Sequence, residues 1–541
     1  MPEAGGPSGG REGGRQGRDP GGRPDGHYSL RNIRRSAGHF LLGKAGSAAL
    51  TFAAFALTAR LLGTGQYGTY AGLLAAVELA LGLSTLGMDW ATGRFLPEYR
   101  VRADRGQLAR FIAATGGLQA AVLLLLALAV ALGAAPLAAR VGLADPLLLQ
   151  LYAAVLATEG IARVLRDQML GLLLAQRAAQ LATVARGAVL VLLLAAAPLL
   201  LGTPDGSALR YVATAELAAA GAGLLLGAAA LLRIVRRHVP DPAPAGAAAW
   251  QPPSPRRVAL IARDAYASML LLIPAAGAVL TLTLGAIAGQ QAAGAFGFVR
   301  GLTEQVRRFL PIELFLGLIR PGIVSRYAQH RDFAALNRQI ALVFAVSVLA
   351  ALPVLALLMA QAPLVARFVG GPSFAEAGPL LAVWSLSLLL FTHRRALEVV
   401  ANTAERSAAC IVGSAVLACS PLAMAALLWA GAPVPVALAA PLLADLGFSG
   451  VVAWLLHRAS LPYRLPAPTL ARLLLLLAGA SLVLGFSPHL LPTPWHQAHQ
   501  ALWAGALALL LTWGIAALWR PFQATEREAI NALLPRPWFP F

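Results

Sequence analysis

Gly294-Ala295-Phe296-Gly297-Phe298-Val299-Arg300-Gly301-Leu302-Thr303-Glu304-Gln305-Val306-Arg307-Arg308 begins as a segment that a bilayer accepts and ends as one that it does not. The stretch lies within an apolar run over 292–319, and Arg300, Glu304 and Arg308 recur in it at i, i+4 and i+8, the spacing of one helical face, with Gln305 and Arg307 beside them. An ionised side chain at mid-membrane costs a few kcal/mol, so that face has to meet protein or water. A self-satisfied ion pair between packed helices would meet the requirement. Three arginines against one nearby glutamate leave positive charge over, which points instead to a ligand.

Outward from this stretch the chain remains membrane-like. It has 541 residues, 58% hydrophobic and 12% charged, with a mean hydropathy of +0.69. A hydrocarbon core of about 30 Å needs roughly 20 apolar residues as helix, and about fourteen runs of that length follow one another from Gly38. Spans 1 and 2 are expected at 38–59 and 70–90, spans 7 and 8 at 262–286 and 292–319, and spans 13 and 14 at 471–487 and 497–519. The fold class is an all-α polytopic membrane protein.

The net charge of +19 is sorted by loop rather than spread. Arg60, Arg140, Arg210 and Arg367 fall near odd-numbered loops and Lys44, Arg186, Arg300, Arg307 and Arg308 within spans. The remaining lysines and arginines occupy the N-terminal tail, the even-numbered loops and the C-terminal tail. That is the positive-inside pattern with both termini cytoplasmic, and it leaves little excess charge that calls for a nucleic-acid partner.

An internal repeat organises the spans. A shift of 226 residues pairs Gly68 with Gly294, Tyr70 with Phe296, Glu78 with Glu304 and Arg94 with Arg320. A shift of 228 pairs Leu108 and Arg110 with Leu336 and Arg338, and 229 pairs Arg166 with Arg395 and Arg177 with Arg406. Six spans separate equivalent positions, so the halves enter the membrane in the same orientation, a parallel repeat. The expected organisation is a disordered cytoplasmic tail over 1–36 and a six-helix lobe over 37–237, followed by a Pro-rich basic linker over 238–257. A second six-helix lobe over 258–460, two additional helices over 461–520 and a cytoplasmic tail over 521–541 complete it.

Span 2 carries a weaker stripe, Glu78, Gly82, Thr85 and Asp89, which the repeat sets opposite that of span 8 across one cleft. Glu159, Arg163, Arg166 and Asp167 in span 4 match His393, Arg394, Arg395 and Glu398 in span 10 as gate pairs or inner anchors. Glu216 and Asp445 read as isolated acids. Cys410 and Cys419 are nine positions apart on one helix and cannot pair. Gly63-Thr64-Gly65-Gln66-Tyr67-Gly68 matches a dinucleotide fingerprint in letters only, because no strand precedes it. Gly38 to Lys44 lacks the hydroxyl that a P-loop needs, since Ala45 follows the lysine. His489, His496 and His499 share an outer loop without an acid or a cysteine, a poor metal site. No cofactor is called for, and outer loops without a catalytic acid argue against an enzyme.

Ala59-Arg60-Leu61-Leu62-Gly63, Tyr67-Gly68-Thr69-Tyr70, Leu86-Gly87-Met88-Asp89 and Arg94-Phe95-Leu96-Pro97-Glu98-Tyr99 resemble the N-terminal signature of bacterial oligosaccharide flippases. Their superfamily also holds lipid II flippases and multidrug exporters. The match in detail covers about residues 36–110. The resemblance implies two six-helix lobes in a V around a central cleft lined by spans 1, 2, 7 and 8. It also implies movement of lipid-linked oligosaccharide repeat units across a bacterial inner membrane, alongside other polysaccharide assembly proteins. Fourteen spans rather than twelve keep lipid II as the second candidate substrate. Arg300, Arg307 and Arg308, with Arg94 and Arg320 nearer the cytoplasm, are the expected substrate-binding residues. Glu78, Glu304, Asp89, Arg166 and Arg395 are the expected coupling or gating residues.

Overall fold

Glycine conformation sets where the chain turns. In the computed structural model, which describes residues 30–172, 176–201, 207–240, 250–313, 330–486, 497–533 and 539–541 together with Ile323 and Tyr327, the described residues form helices and no strands. The first helix, α1 (Leu30–Ser84), has 55 residues, about 80 Å at 1.5 Å per residue and well beyond one bilayer crossing. It is broken at Gly63 (φ 62, ψ 179), a conformation that a residue without Cβ adopts readily. The helix starts at Leu30, ahead of the lobe boundary expected at 37.

The first half continues through α2 (Met88–Arg102), α3 (Arg105–Leu132), α4 (Ala134–Arg140), α5 (Pro146–Gly171), α6 (Gln176–Leu201) and α7 (Ser207–Arg236). The second half holds α8 (Pro255–Leu272), α9 (Gly277–Ala288), α10 (Gln290–Arg307), α11 (Phe333–Ala360), α12 (Ala362–Gly370), α13 (Gly378–Ser385), α14 (Ser387–Thr403), α15 (Ser407–Ala418), α16 (Ser420–Trp429) and α17 (Ala439–Arg458). Two further membrane helices, α18 (Ala467–Phe486) and α19 (Gln497–Leu509, extended by a π-turn over Leu510–Gly514), precede a short terminal helix, α20 (Ala524–Leu533). Among the described residues, 12 helices are long and apolar enough to cross a membrane. The fourteen expected passes differ from these for two reasons: α1 supplies two across its break, and α10 is too charged to be counted.

The repeat is visible in backbone detail. Gly63 and Gly289, 226 apart, both break the chain at positive φ (62 and 87) with extended ψ (179 and 173). Asp104 and Asp332, 228 apart, both cap a 28-residue helix, accepting from the backbone N–H of Gln107 and Ala335. Gly142 and Gly371, 229 apart, both turn at positive φ (67 and 91) after α4 and α12.

The halves meet where the two breaks bring small residues together. A Cβ on Gly68 would overlap the Gln290 carbonyl oxygen, and one on Gly294 would overlap that of Thr64. Next to this contact, Phe55 stacks on Phe298 at 5.3 Å and Phe374 lies 4.4 Å from Phe298 and 5.3 Å from Tyr67. The Arg60 guanidinium donates to the carbonyls of Phe368 and Val369 at the end of α12. Toward the other end, the Tyr266 hydroxyl of α8 donates to the Leu83 carbonyl at 3.0 Å. The Trp250 indole N–H donates to Glu98 at 3.0 Å while its ring meets Tyr99 edge-on at 5.1 Å. Burial, aided by the Glu98 carboxylate, raises the pKa of the Tyr99 hydroxyl.

Spans 13 and 14 lie against α11. The Gln361 amide donates to the Leu484 carbonyl at 2.6 Å, and the Trp513 indole, in the π-turn, donates to the Leu349 carbonyl at 3.1 Å. The chain then folds back, with Thr469 donating to Glu526 at 2.7 Å and Phe522 buried.

Candidate functional site

Two adjacent faces of α10 do different work. Gly294, Gly297 and Gly301 lie toward α1, where a Cβ would press on the backbone of Thr64 and Gly68, the Ala71 methyl and the Phe55 ring. That close approach leaves Arg300, Thr303, Glu304 and Arg307 on the neighbouring face, toward the interior of the second half. Room for the Arg300 stem comes from Gly277, where a Cβ would stand 2.7 Å from the Arg300 Cδ.

The Arg300 side chain is only 8% exposed. Its Nη2 donates to Glu78 Oε2 at 2.9 Å and its Nε stands 3.8 Å from Glu304 Oε1. Glu78 comes from the first half and Glu304 from α10 itself, so one guanidinium links the halves. Beside it is a cavity of about 100 Å³. Its charged and aromatic wall is Arg300, Glu304 and Arg307 of α10, Trp384 of α13, Phe391 and Arg394 of α14, and Asp445 of α17. Arg394 Nη1 donates to Asp445 Oδ1 at 2.8 Å, and its Nε lies 3.8 Å from Glu398. Arg307 makes no ion pair among the described residues. Its guanidinium carbon lies 4.5 Å from the centroid of the Phe391 ring, and that of Arg394 lies 5.3 Å from the same centroid.

Expected residues separate into those at the cavity and those away from it. Arg300, Glu304 and Arg307 line it, and Glu78 reaches its edge through Arg300. Arg308 does not continue the stripe: α10 ends at Arg307, and Arg308 is the exposed C-cap. Asp89 leaves the stripe of span 2 because Leu86 and Gly87 turn at positive φ (51 and 68), which places it, exposed, in the first turn of α2. Arg94 is exposed and stands 3.8 Å from Glu98 on its own helix. Arg320 lies outside the described residues, as do His489 and His496.

Arg166 and Arg395, equivalent in the repeat, each belong to a charged cluster. Glu159 receives Arg163 at 3.0 Å and Arg186 at 2.6 Å, with Arg166 and Asp167 close by. Arg395 pairs with Glu398 at 2.8 Å and Glu313 at 3.3 Å. The first cluster has no residue on the cavity wall, whereas Glu398 joins the second to Arg394 on that wall. Glu216 and Asp445 are not isolated as expected. The Tyr70 hydroxyl donates to Glu216 at 2.8 Å, and Asp445 holds Arg394. Sequence reading missed the Arg394–Asp445 pair. The 229-residue shift gives no signal of it, since it matches Asp445 with Glu216 but Arg394 with Leu165.

No protein-family model matches the chain, and no curated protein sequence does. Solved structures do. A lipid II flippase, MurJ, in an inward closed conformation superposes with a TM-score of 0.61 at 11% identity, covering 89% of this chain and 98% of that one. A multidrug resistance MATE transporter of the MOP superfamily, inward-facing, gives 0.54 at 14% identity over 76% of this chain and 95% of its own. The Vibrio cholerae MATE transporter VcmN gives 0.50 at 15% identity over 80% and 98%. The protein is thus a polytopic membrane protein with the fold of MOP-superfamily transporters.

Proposed function

We propose that this protein is a flippase that carries polyprenyl-diphosphate-linked oligosaccharide repeat units from the inner to the outer leaflet of a bacterial inner membrane for surface polysaccharide synthesis. The observation that carries the reading is Arg300, a buried guanidinium on a membrane helix, shared between carboxylates of the two halves at the edge of a cavity with two more guanidiniums. Arginine suits a phosphate ligand, since its planar fork meets two oxygens at once and stays charged at physiological pH.

In this reading a diphosphate competes with Glu78 for Arg300. When the ligand takes the guanidinium, Glu78 is released and the tie between the halves loosens, so binding and opening are coupled. Arg94 and Arg320, equivalent in the repeat, gather the anionic head group at the cytoplasmic side. Arg166 and Arg395 stiffen the inner ends of the helices, and both termini lie in the cytoplasm. An inside-negative potential favours outward movement of an anion by about 2.3 kcal/mol per charge per 100 mV. Other polysaccharide assembly proteins are the expected partners.

Replacing Arg300 by alanine, with membrane abundance checked, should abolish surface polysaccharide. Normal polysaccharide at normal abundance would remove Arg300 from the mechanism. Lipid II is the second reading, favoured by the 98% of the MurJ chain that the superposition covers and by the fourteen passes. Depletion separates the two: loss of polysaccharide in intact cells supports the first, and lysis supports lipid II.

A further inference from the structure

The two halves differ in charge at matched positions. Leu74 and Leu81 correspond at 226 residues to Arg300 and Arg307, and Leu165 corresponds at 229 to Arg394. All three arginines stand on the cavity. The acid at the matched site of α7 and α17 is present in both halves but is treated differently. Glu216 is closed off by the Tyr70 hydroxyl with Tyr152 beside it. The counterparts of those tyrosines are Phe296 and Leu381, which offer no hydroxyl, and Asp445 turns to Arg394. The second half thus holds three guanidiniums around a space whose equivalent in the first half is leucine.

We infer that the space between Arg307, Arg394 and Asp445 is a subsite for the diphosphate of a lipid-linked ligand, in which Asp445 occupies Arg394 until a phosphoryl oxygen replaces it. The inference rests on the diphosphate-linked substrate proposed above and adds residues and a displacement step. The guanidinium carbons of Arg307 and Arg394 lie over the one Phe391 ring, which brings the two cations side by side; Arg307 has no ion pair among the described residues, and Arg394 is held by Asp445 with Glu398 farther off. A cavity of about 100 Å³ has room for a phosphoryl group beside these side chains. With this lining the subsite reads the charged end of the ligand.

The test measures binding of inorganic diphosphate to the full-length protein in nanodiscs by calorimetry. Arg307→Gln and Arg394→Gln should each weaken it about tenfold or more, Asp445→Asn should tighten it severalfold by removing the internal competitor, and Arg458→Gln should leave it unchanged. The opposite signs at Arg394 and Asp445 distinguish a displaced counterion from a structural pair, for which both variants would weaken binding. Should Arg394→Gln fail to fold, Arg394→Lys, which keeps the charge but loses the fork, must still weaken binding. Full affinity in Arg307→Gln, or weaker or unchanged affinity in Asp445→Asn, overturns the inference. A short prenyl diphosphate that binds at least tenfold tighter than inorganic diphosphate identifies a lipid head group, and equal affinity overturns the lipid source in favour of free phosphate. If this subsite fails while Arg300→Ala still abolishes polysaccharide, the flippase reading stands. If diphosphate binds as stated while loss of the protein leaves polysaccharide and cell wall intact, that reading falls and the subsite remains.

Discussion

Arg300 is shared by two acids of unequal exposure, Glu78 at 35% and Glu304 at 29%, so removal of either end of the network has an unequal cost. Deleting the buried cation leaves two carboxylates facing each other without it. Breaking a buried pair costs about 3–5 kcal/mol when the remaining charge cannot reach water, and partial exposure of both acids reduces that here to about 1–3 kcal/mol. Arg300→Ala should lower the thermal unfolding midpoint in detergent, Glu78→Gln should lower it less, and exposed Arg94→Ala should shift stability by no more than about 0.5 kcal/mol. At this scale the sequence singled out Arg300, Glu304 and Arg307, which line the cavity, because a charge in an apolar helix is conspicuous by itself. It did not identify Asp445 as the partner of Arg394. Those residues are 51 positions apart on different helices, and only packing brings them together.

Helix α10 depends on glycine where it meets α1, and the effect is local. Gly294→Ala places a methyl against the Thr64 carbonyl and the Gly68 backbone, an overpacking expected to cost about 1–3 kcal/mol. Gly65→Ala, where nothing lies within 4 Å of the added carbon, should be neutral or stabilising by up to about 1 kcal/mol, since alanine favours helix. Unfolding midpoints of the two variants, side by side, check the contrast. Asp332→Ala removes the N-cap of α11 and should cost about 0.5–2 kcal/mol by the same measurement. Helix positions were legible because apolar run length is written directly in the chain. The joints were less so. A loop was expected between spans 1 and 2, but helix runs on both sides of the single residue Gly63. The stripe of span 2 was expected to reach Asp89, but the chain turns at Leu86 and Gly87. Both differences come from backbone torsions, which hydropathy does not encode.

Across the whole molecule, the repeat that sequence shifts revealed recurs in matched glycine breaks, caps and helix lengths, whereas the location of the cavity did not follow from it. Matched stripes in spans 2 and 8, the former weaker, suggested a shared cleft, yet the wall of the cavity belongs to the second half and the first contributes Glu78 through Arg300. If an anion moves outward through this molecule, reconstituted vesicles should show the potential directly. Collapsing 100 mV, inside negative, should shift the steady-state distribution of a labelled lipid-linked substrate by roughly fiftyfold per net charge. An unchanged distribution would mean that the charge is compensated during transport. The polarity of α10 also bears on how the chain is made. At 18 residues with Arg300, Glu304 and Arg307, it is a poor stop for the translocon, where each central arginine adds about 2.5–3.5 kcal/mol. Assayed alone in microsomes, 290–307 should integrate weakly, and joined to α9 it should integrate far better. The ribosome has by then released α1, whose docking surface awaits it, so chains from which 43–84 are deleted should leave this helix stranded and open to quality-control proteolysis.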